Sequence, residues 1–392
     1  MISKYATDIA YLSYNHYGEE LCGDHVELVR PNENEEIFVL ADGLGSGVQA
    51  SILSILTSKM LSTMVAYDIS LQECVNTIVE TLPVIKEKGV AYCTFTIIKV
   101  KDSSFVEIYN YDNPLPFLVR DNQAIKINYT ESIVANKKIS YASFPIFLHD
   151  AIIAMSDGNV YAGMGNQYNF GWDMPNIMDF SSKMCSPTCT AMNFATFFID
   201  YVRGLYDYKL GDDCTIGVVK IRERKTVNFM IGPPSNKEDD ERMASLFMGK
   251  DGIHIVSGGT TSQVVANYLH EKVEQSMDYI KKDIPPIAYL KGVDLVTEGV
   301  ITVNKVLEYA NSYLKDNNKE YYDWYGKKDG ASLISQYLFE EATEVNFFVG
   351  CAINEAHQKG DGSINHSIKM HLIDELANAL KQMRKNVKVN YF

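Results

Sequence analysis

Phe38-Val39-Leu40-Ala41-Asp42-Gly43-Leu44-Gly45-Ser46-Gly47 decides how the first half of this chain is read. Apolar residues run into an aspartate, three glycines alternate after it, and a long helical pattern follows. That order reads as strand, tight turn and helix. The aspartate closes the strand, where its carboxylate leaves the sheet and can face a ligand. Gly43, Gly45 and Gly47 admit positive φ and bring bare backbone N–H groups close to an anion. Gly-rich turns of this kind also arise from packing alone, so the weight of the stretch depends on which other acidic residues converge on it.

At 392 residues the chain is long for one domain and comfortable for two. Its 46% hydrophobic and 22% charged residues supply material for two cores. A formal net charge of -14 argues against a non-specific nucleic-acid binder and against an anionic membrane surface. Seven cysteines are scattered without a C-x-x-C pair, and Cys185 and Cys189 are too isolated for a zinc knuckle. The odd count fits a reducing cytosol, the N-terminus lacks the apolar core of a signal peptide, and no apolar run approaches the span of a bilayer. A cytoplasmic protein with no nucleic-acid or membrane partner is expected.

Asp8 to Tyr17 alternates apolar and polar residues, and Glu20–Leu28 reads as a strand broken by Gly23-Asp24 and resumed. From Val48 the residues Ile52, Leu53, Leu56, Met60, Leu61 and Met64 fall at helical spacing, as do Val75, Ile78 and Leu82 after a break near Asp68. These read as core-facing stripes of two amphipathic helices. Tyr92–Lys101 and Phe105–Tyr111 form a hairpin, Asn113–Pro116 a turn, and Phe117–Arg120 another strand. Ala151–Ser156 followed by Asp157-Gly158 repeats the opening pattern. Ala191–Leu205 is helical, and Gly211-Asp212-Asp213 leads into a strand from Cys214.

Asp24, Asp42, Asp157 and Asp212 thus all sit at strand ends beside glycine. Any one of them is explained as a turn dipeptide. Four in this context point to a metal site, and oxygen ligands without a His or Cys cluster suit Mg²⁺ or Mn²⁺. Two such ions activate a water and clamp a phosphoryl group.

Cys22-Gly23-Asp24, Ala41–Gly47, Met155-Ser156-Asp157-Gly158 and Gly211-Asp212-Asp213-Cys214-Thr215 resemble the ordered motifs of the metal-dependent (PPM, type 2C-like) serine/threonine phosphatases. Within them the stage II sporulation protein E branch is the most similar, with supporting likeness at Tyr111–Phe117 and Gly163–Trp172. The resemblance covers about residues 1–222. It implies a sandwich of two antiparallel sheets flanked by helices (αββα), with two Mn²⁺ or Mg²⁺ ions at one end. It implies Asp42 as bridging ligand, the Gly43 carbonyl as a further ligand, Asp24 as a direct or water-mediated ligand, and Asp157 and Asp212 on the other side. Asp213 stands where animal-type relatives have Asn. Leu44 replaces a His of those relatives, and no Arg precedes Asp24 to grip phosphate, a loss shared by the bacterial branch. Lys4, His16 and His25 read as surface residues. In that branch the helices after the turn are thought to act as a switch, here Val48–Leu82, although a core role remains the default.

Arg222–Lys225 is a charged junction, so domains at 1–222 and 226–392 are expected. The second reads as a three-layer α/β domain: strands Val227–Ile231, Ile253–Val256 and Asn346–Ala352 alternate with helices at Val264–Leu269, Val303–Leu314, Leu333–Ala342 and Ile368–Met383. Ser257-Gly258-Gly259-Thr260-Thr261 is a candidate cradle for a small anionic ligand, without the Gly-Lys-Ser/Thr of a P-loop. A tight turn with a helix cap explains it equally well. Asp294 and Glu298 read as surface or capping residues. Gly232-Pro233-Pro234 and Val293–Gly299 resemble domains that accompany some bacterial phosphatases of this branch.

The expected function is a metal-dependent serine/threonine protein phosphatase acting on a phosphoprotein, with an anti-sigma-factor antagonist as the guess from the branch, regulated through the second domain. The alternatives are a catalytically weak phosphatase-like scaffold and a hydrolase of small phosphate esters.

Overall fold

The computed structural model describes residues 4–81, 93–275, 287–352 and 362–392. Leu82 and Tyr92, used above to bound elements, lie outside them. The chain folds into two compact units, Met1–Glu223 and Arg224–Phe392.

Unit 1 runs β1 (Tyr5–Tyr14), β2 (Asp24–Asn32), β3 (Glu35–Asp42), α1 (Gly47–Ala66), α2 (Leu71–Thr81), β4 (Thr94–Lys101), β5 (Phe105–Tyr111), β6 (Phe117–Arg120), β7 (Gln123–Lys126), β8 (Thr130–Val134), β9 (Lys137–Pro145), β10 (Ala151–Met155), α3 (Met174–Met184), α4 (Ala191–Leu205) and β11 (Cys214–Glu223). These strands form two antiparallel sheets, ordered β1-β11-β10-β6-β7 and β2-β3-β4-β5-β9-β8. Glu20–Leu28 is therefore not one interrupted strand. Gly18, at φ 94°, turns the chain out of β1, and β2 starts afresh in the other sheet.

Strand alternation builds the layers. Phe38 and Leu40 of β3 join Val26, Ile98, Ile108, Ile152, Ala154, Val219 and Ile221 in a core shared by both sheets. Ile37 and Val39 point the other way and pack with Leu61, Val65, Val75 and Ile78 of α1 and α2. On the far side, Trp172, Phe180, Phe198 and Tyr201 stack around α3 and α4. The result is a sandwich of two antiparallel sheets flanked by helices.

α1 corrects the stripe drawn from the sequence. Its buried face holds Ser51, Ser54, Thr57, Ser58 and Ser62 beside Leu53, Leu61 and Val65, whereas Val48, Ile52 and Leu56 are exposed. The buried serines are tolerated because Ser54, Ser58 and Ser62 donate to the carbonyls of Ser51, Ile55 and Lys59. By length and composition α1 is also apolar enough to cross a membrane, with half of its apolar window buried inside the unit.

Unit 2 runs β12 (Thr226–Ile231), α5 (Asp240–Met248), β13 (Ile253–Ser257), α6 (Gly259–Leu269), β14 (Glu274–Gln275), β15 (Ala288–Tyr289), β16 (Leu295–Thr297), α7 (Val300–Tyr313), α8 (Gly330–Ser335, extended by a π-helical turn), β17 (Glu344–Val349), α9 (Gly362–Gln382) and β18 (Asn386–Tyr391). The sheet order is β14-β15-β16-β13-β12-β17-β18, and β16, β13, β12, β17 and β18 are parallel. The order reverses at β12, the mark of a doubly wound sheet. Helices α5 and α6 cover one face through Met243, Phe247, Val264 and Val265. Helices α7 and α9 pack against each other.

Candidate metal centre

The alternation that makes the core also aims the acids. Val26 faces the other sheet, so Asp24, two residues earlier, does too. Phe38 and Leu40 face inward, so Asp42 is next in their row. Asp24 and Asp42 are register partners across β2 and β3, which sets their side chains side by side at the end of the sandwich. From the other sheet, Val219 and Ile221 face inward, and the same parity runs through Gly217 and Thr215 to Asp213. Gly217 is required, because a Cβ there would lie 2.1 Å from the Phe38 ring. Asp157 opens a 3₁₀ turn directly after β10. The Ser156 hydroxyl accepts from the Thr215 N–H at 2.9 Å, locking that turn to the start of β11.

Asp24 is buried, and neither carboxyl oxygen has a hydrogen-bond partner. Burial raises its pKa to about 7; the Ser156 and Thr215 hydroxyls lie near enough to temper the rise without meeting hydrogen-bond geometry, while Asp213 and Asp212 add to it. Asp42 is pushed up to about 9 by burial and then by Asp24, Asp157, Asp212 and Asp213. Asp157 is raised by burial and by Asp212. Asp212 accepts from the Asp213 N–H at 2.9 Å. Asp213 is itself buried; burial raises its pKa against the backbone N–H groups of His16, 2.9 Å away, and Gly23.

The four predicted aspartates therefore share one end of the sandwich. Among the described residues, however, no three His, Cys, Asp or Glu side chains converge tightly enough to hold an ion as they stand. Asp213, which alternation aims inward, is the member that motif matching alone left aside. No lysine or arginine is among the largest influences on Asp24, Asp42, Asp157 or Asp213. Lys4 is exposed, and His25 lies 3.5 Å from Glu27.

Gly43 is required for space and not for φ, correcting the opening reading. A Cβ there would lie 2.3 Å from the Ala50 carbonyl, whereas Gly45 and Gly47 have φ of 91° and 77°. The Gly43 N–H donates to Gly23 at 3.1 Å, tying the Asp42 loop to the start of β2. Among the described residues no backbone N–H donates to the Gly43 carbonyl. A buried carboxylate without partners, a carbonyl left open and a set of mutually repelling acids together fit hard divalent cations.

In unit 2 the candidate cradle is partly spoken for. Ser257 donates to the Glu298 carbonyl at 2.5 Å, the Gly258 N–H to Thr297 at 2.9 Å, and the Thr261 hydroxyl accepts from the Gly232 N–H at 2.9 Å. What remains is the first turn of α6, Gly259 and Thr260, both exposed. Asp294 accepts from the His254 N–H at 2.7 Å, a structural role.

Residues 32–222 match the sequence profile of the family described as Stage II sporulation protein E. No curated protein is matched. Among solved structures, the phosphatase domain with a regulatory-domain fragment of the cell fate determinant SpoIIE from Bacillus subtilis is 18% identical. That alignment covers 57% of this chain and 64% of the other, with a TM-score of 0.48. The RsbU and RsbW domains of a Mycobacterium tuberculosis protein are 17% identical over 57% of this chain and 61% of the other, at 0.44. RsbX in complex with magnesium is 16% identical over 55% and 95%, at 0.41. The chain thus spans less than two thirds of the length of the first of these relatives.

Proposed function

From the match of residues 32–222 to the stage II sporulation protein E family, we propose that unit 1 is a member of it and a metal-dependent serine/threonine protein phosphatase. The observation that carries the reading is Asp24, buried without a hydrogen bond beside its register partner Asp42 and among Asp157, Asp212 and Asp213. Asp42, the Gly43 carbonyl, Asp24, Asp157 and Asp212 would hold two Mn²⁺ or Mg²⁺ ions. When bound, such ions lend Lewis acidity to a water and neutralise charge building on the phosphoryl oxygens.

The chain's own groups prepare that chemistry. Register pairing holds Asp24 and Asp42 side by side. The Ser156 hydroxyl fixes the turn that carries Asp157, and the Gly43–Gly23 hydrogen bond fixes the open carbonyl. The His16 N–H anchors Asp213, which places Asp212 at the rim. The substrate we propose is a phosphoserine or phosphothreonine on a partner protein, with an anti-sigma-factor antagonist the first to try. We assign unit 2 a regulatory or ligand-binding role, with a small anion at the first turn of α6, and the chain a cytoplasmic place.

The loose spacing of the carboxylates favours a second reading, a phosphatase-like scaffold with weak turnover. Hydrolysis of a phosphoserine peptide and of p-nitrophenyl phosphate with Mn²⁺, in wild type, Asp42→Ala and Asp157→Ala, separates the two. Turnover lost in both variants supports the enzyme. Metal binding without turnover on any phosphoprotein supports the scaffold, and equal activity in all three removes the site assignment.

A further inference from the structure

On the outer face of the β1–β11 sheet, remote from the acids, three side chains meet that the phosphatase reading does not use. Lys220 faces away from the intersheet core, because the alternation that turns Val219 and Ile221 inward turns it outward, beneath the loop between α3 and α4. It is 1% exposed. Among the described residues no carboxylate lies within ion-pair distance of it. Asp8, its register partner on β1, is engaged with the Ala191 N–H at 3.0 Å and with Arg222 at 3.3 Å. The Lys220 ammonium donates instead to the Ser186 carbonyl at 2.6 Å and to the Cys189 sulfur at 3.5 Å. Cys185, buried at the end of α3, is in side-chain hydrogen-bond contact with Cys189. The Cys189 N–H donates to the Ser186 hydroxyl at 3.3 Å, closing the loop around the sulfur.

A fully buried ammonium needs an anion, and the group offered to it is a sulfur. We infer that Cys189 is a reactive thiolate held by Lys220, with Cys185 as its resolving partner, and that this pair is a site of reversible oxidation by hydroperoxides. The electrostatics agree: the hydrogen bond from Cys185 and the charge of Lys220 lower the Cys189 thiol to about 6 against the opposing effect of burial. The other affected thiols go the opposite way. Burial raises Cys22, Cys74, Cys93 and Cys214. Cys189 is also only partly buried, so a small oxidant can reach it.

The chemistry balances. The Cys189 thiolate attacks the peroxide, an S–O bond forms as the O–O bond breaks, and the departing oxide takes a proton to leave as water or alcohol. The Cys185 thiol then attacks the sulfenic sulfur. An S–S bond forms, the S–O bond breaks, and water leaves with the thiol proton. Sulfur loses two electrons in all, the peroxide gains them, and an external thiol reverses the change.

The test is alkylation of the full-length native chain by iodoacetamide, read cysteine by cysteine by peptide mass mapping, with the partly exposed Cys351 as internal reference. Cys189 is expected to react first, with a rate that has levelled off by neutral pH. An ordinary thiol climbs about tenfold per pH unit there. Lys220→Met is expected to slow Cys189 about tenfold or more at neutral pH, and Lys220→Arg to preserve the rate. If Lys220→Met fails to fold, the wild-type pH profile decides. Hydrogen peroxide is expected to remove two hydrogens from the peptide joining Cys185 and Cys189, and in Cys185→Ser to leave a sulfenic acid that dimedone traps. A Cys189 rate no faster than that of Cys351, or a peroxide-treated chain without the Cys185–Cys189 disulfide, overturns the inference.

Discussion

Asp24 and Asp42 face each other as register partners at the open end of β2 and β3, and both carboxyls are held above their ordinary range, at about 7 and about 9. Neighbouring acids in a buried place repel one another, and each ion bound there relieves that repulsion.

The first expectation concerns pH and stability in the metal-free state. Folded-state pKa values above the unfolded ones mean that the native chain binds more protons, so stability falls as pH rises through the window from the ordinary carboxylate value to about 7 for Asp24 and about 9 for Asp42. Thermal melting in EDTA should therefore drop from acid to alkaline pH within that window. Excess Mn²⁺ should restore the loss, with a larger gain at higher pH. A Mn²⁺ effect independent of pH would count against proton release on binding.

Asp42→Asn separates fold from function. It keeps the shape and removes one repelling charge, so the EDTA form should melt at the same temperature or higher at alkaline pH. Phosphatase activity should fall by more than the roughly 10–100-fold typical of losing an outer partner of a metal ligand. A variant that melts lower and keeps its activity would place the carboxylate in the fold alone.

Two glycines of unit 1 should respond in opposite ways. Gly217→Ala puts a Cβ 2.1 Å from the Phe38 ring, so about 1–3 kcal/mol of overpacking cost is expected. Gly204, near the end of α4, has nothing within 4 Å of a Cβ, and Gly204→Ala should stabilise by about 0.5–1 kcal/mol. Urea midpoints at unchanged slope measure both.

In unit 2, Gly259→Pro removes one N–H from the first turn of α6 at a position with open space around it. If that turn holds an anion, inorganic phosphate should raise the melting temperature of the wild type and raise it less in the variant. Equal shifts would place the phosphate effect elsewhere.

The sequence made the centre of each sheet readable and left the edges obscure. β3, β6 and β10 are largely apolar runs with clear ends, β5 alternates Val106 and Ile108 with Glu107 and Tyr109, and their positions follow from period and turn residues. The strands Gln123–Lys126, Thr130–Val134 and Lys137–Pro145 carry charged and polar residues, and the first two are largely exposed, so no apolar alternation marks them. α1 misled by composition, because its buried face is lined by serines, of which Ser54, Ser58 and Ser62 donate to carbonyls within the helix. The four aspartates were legible from their Asp-Gly turns. Asp213 was not, because its inward aim follows from parity with Val219 and Ile221 and from the two-sheet core. The pairing of Lys220 with Cys189 joins residues 31 apart, and no local pattern announces it.

The central claim is that Asp24, Asp42, Asp157 and Asp212 hold divalent cations. It is tested most directly by counting Mn²⁺ bound to the full-length chain by electron paramagnetic resonance, wild type against Asp42→Asn, with melting curves confirming that both are folded. Two ions per chain in the wild type, with binding lost or cut to one weak ion in the variant, is the expected result. Identical Mn²⁺ binding by the two folded proteins, or no binding by the wild type, would contradict it.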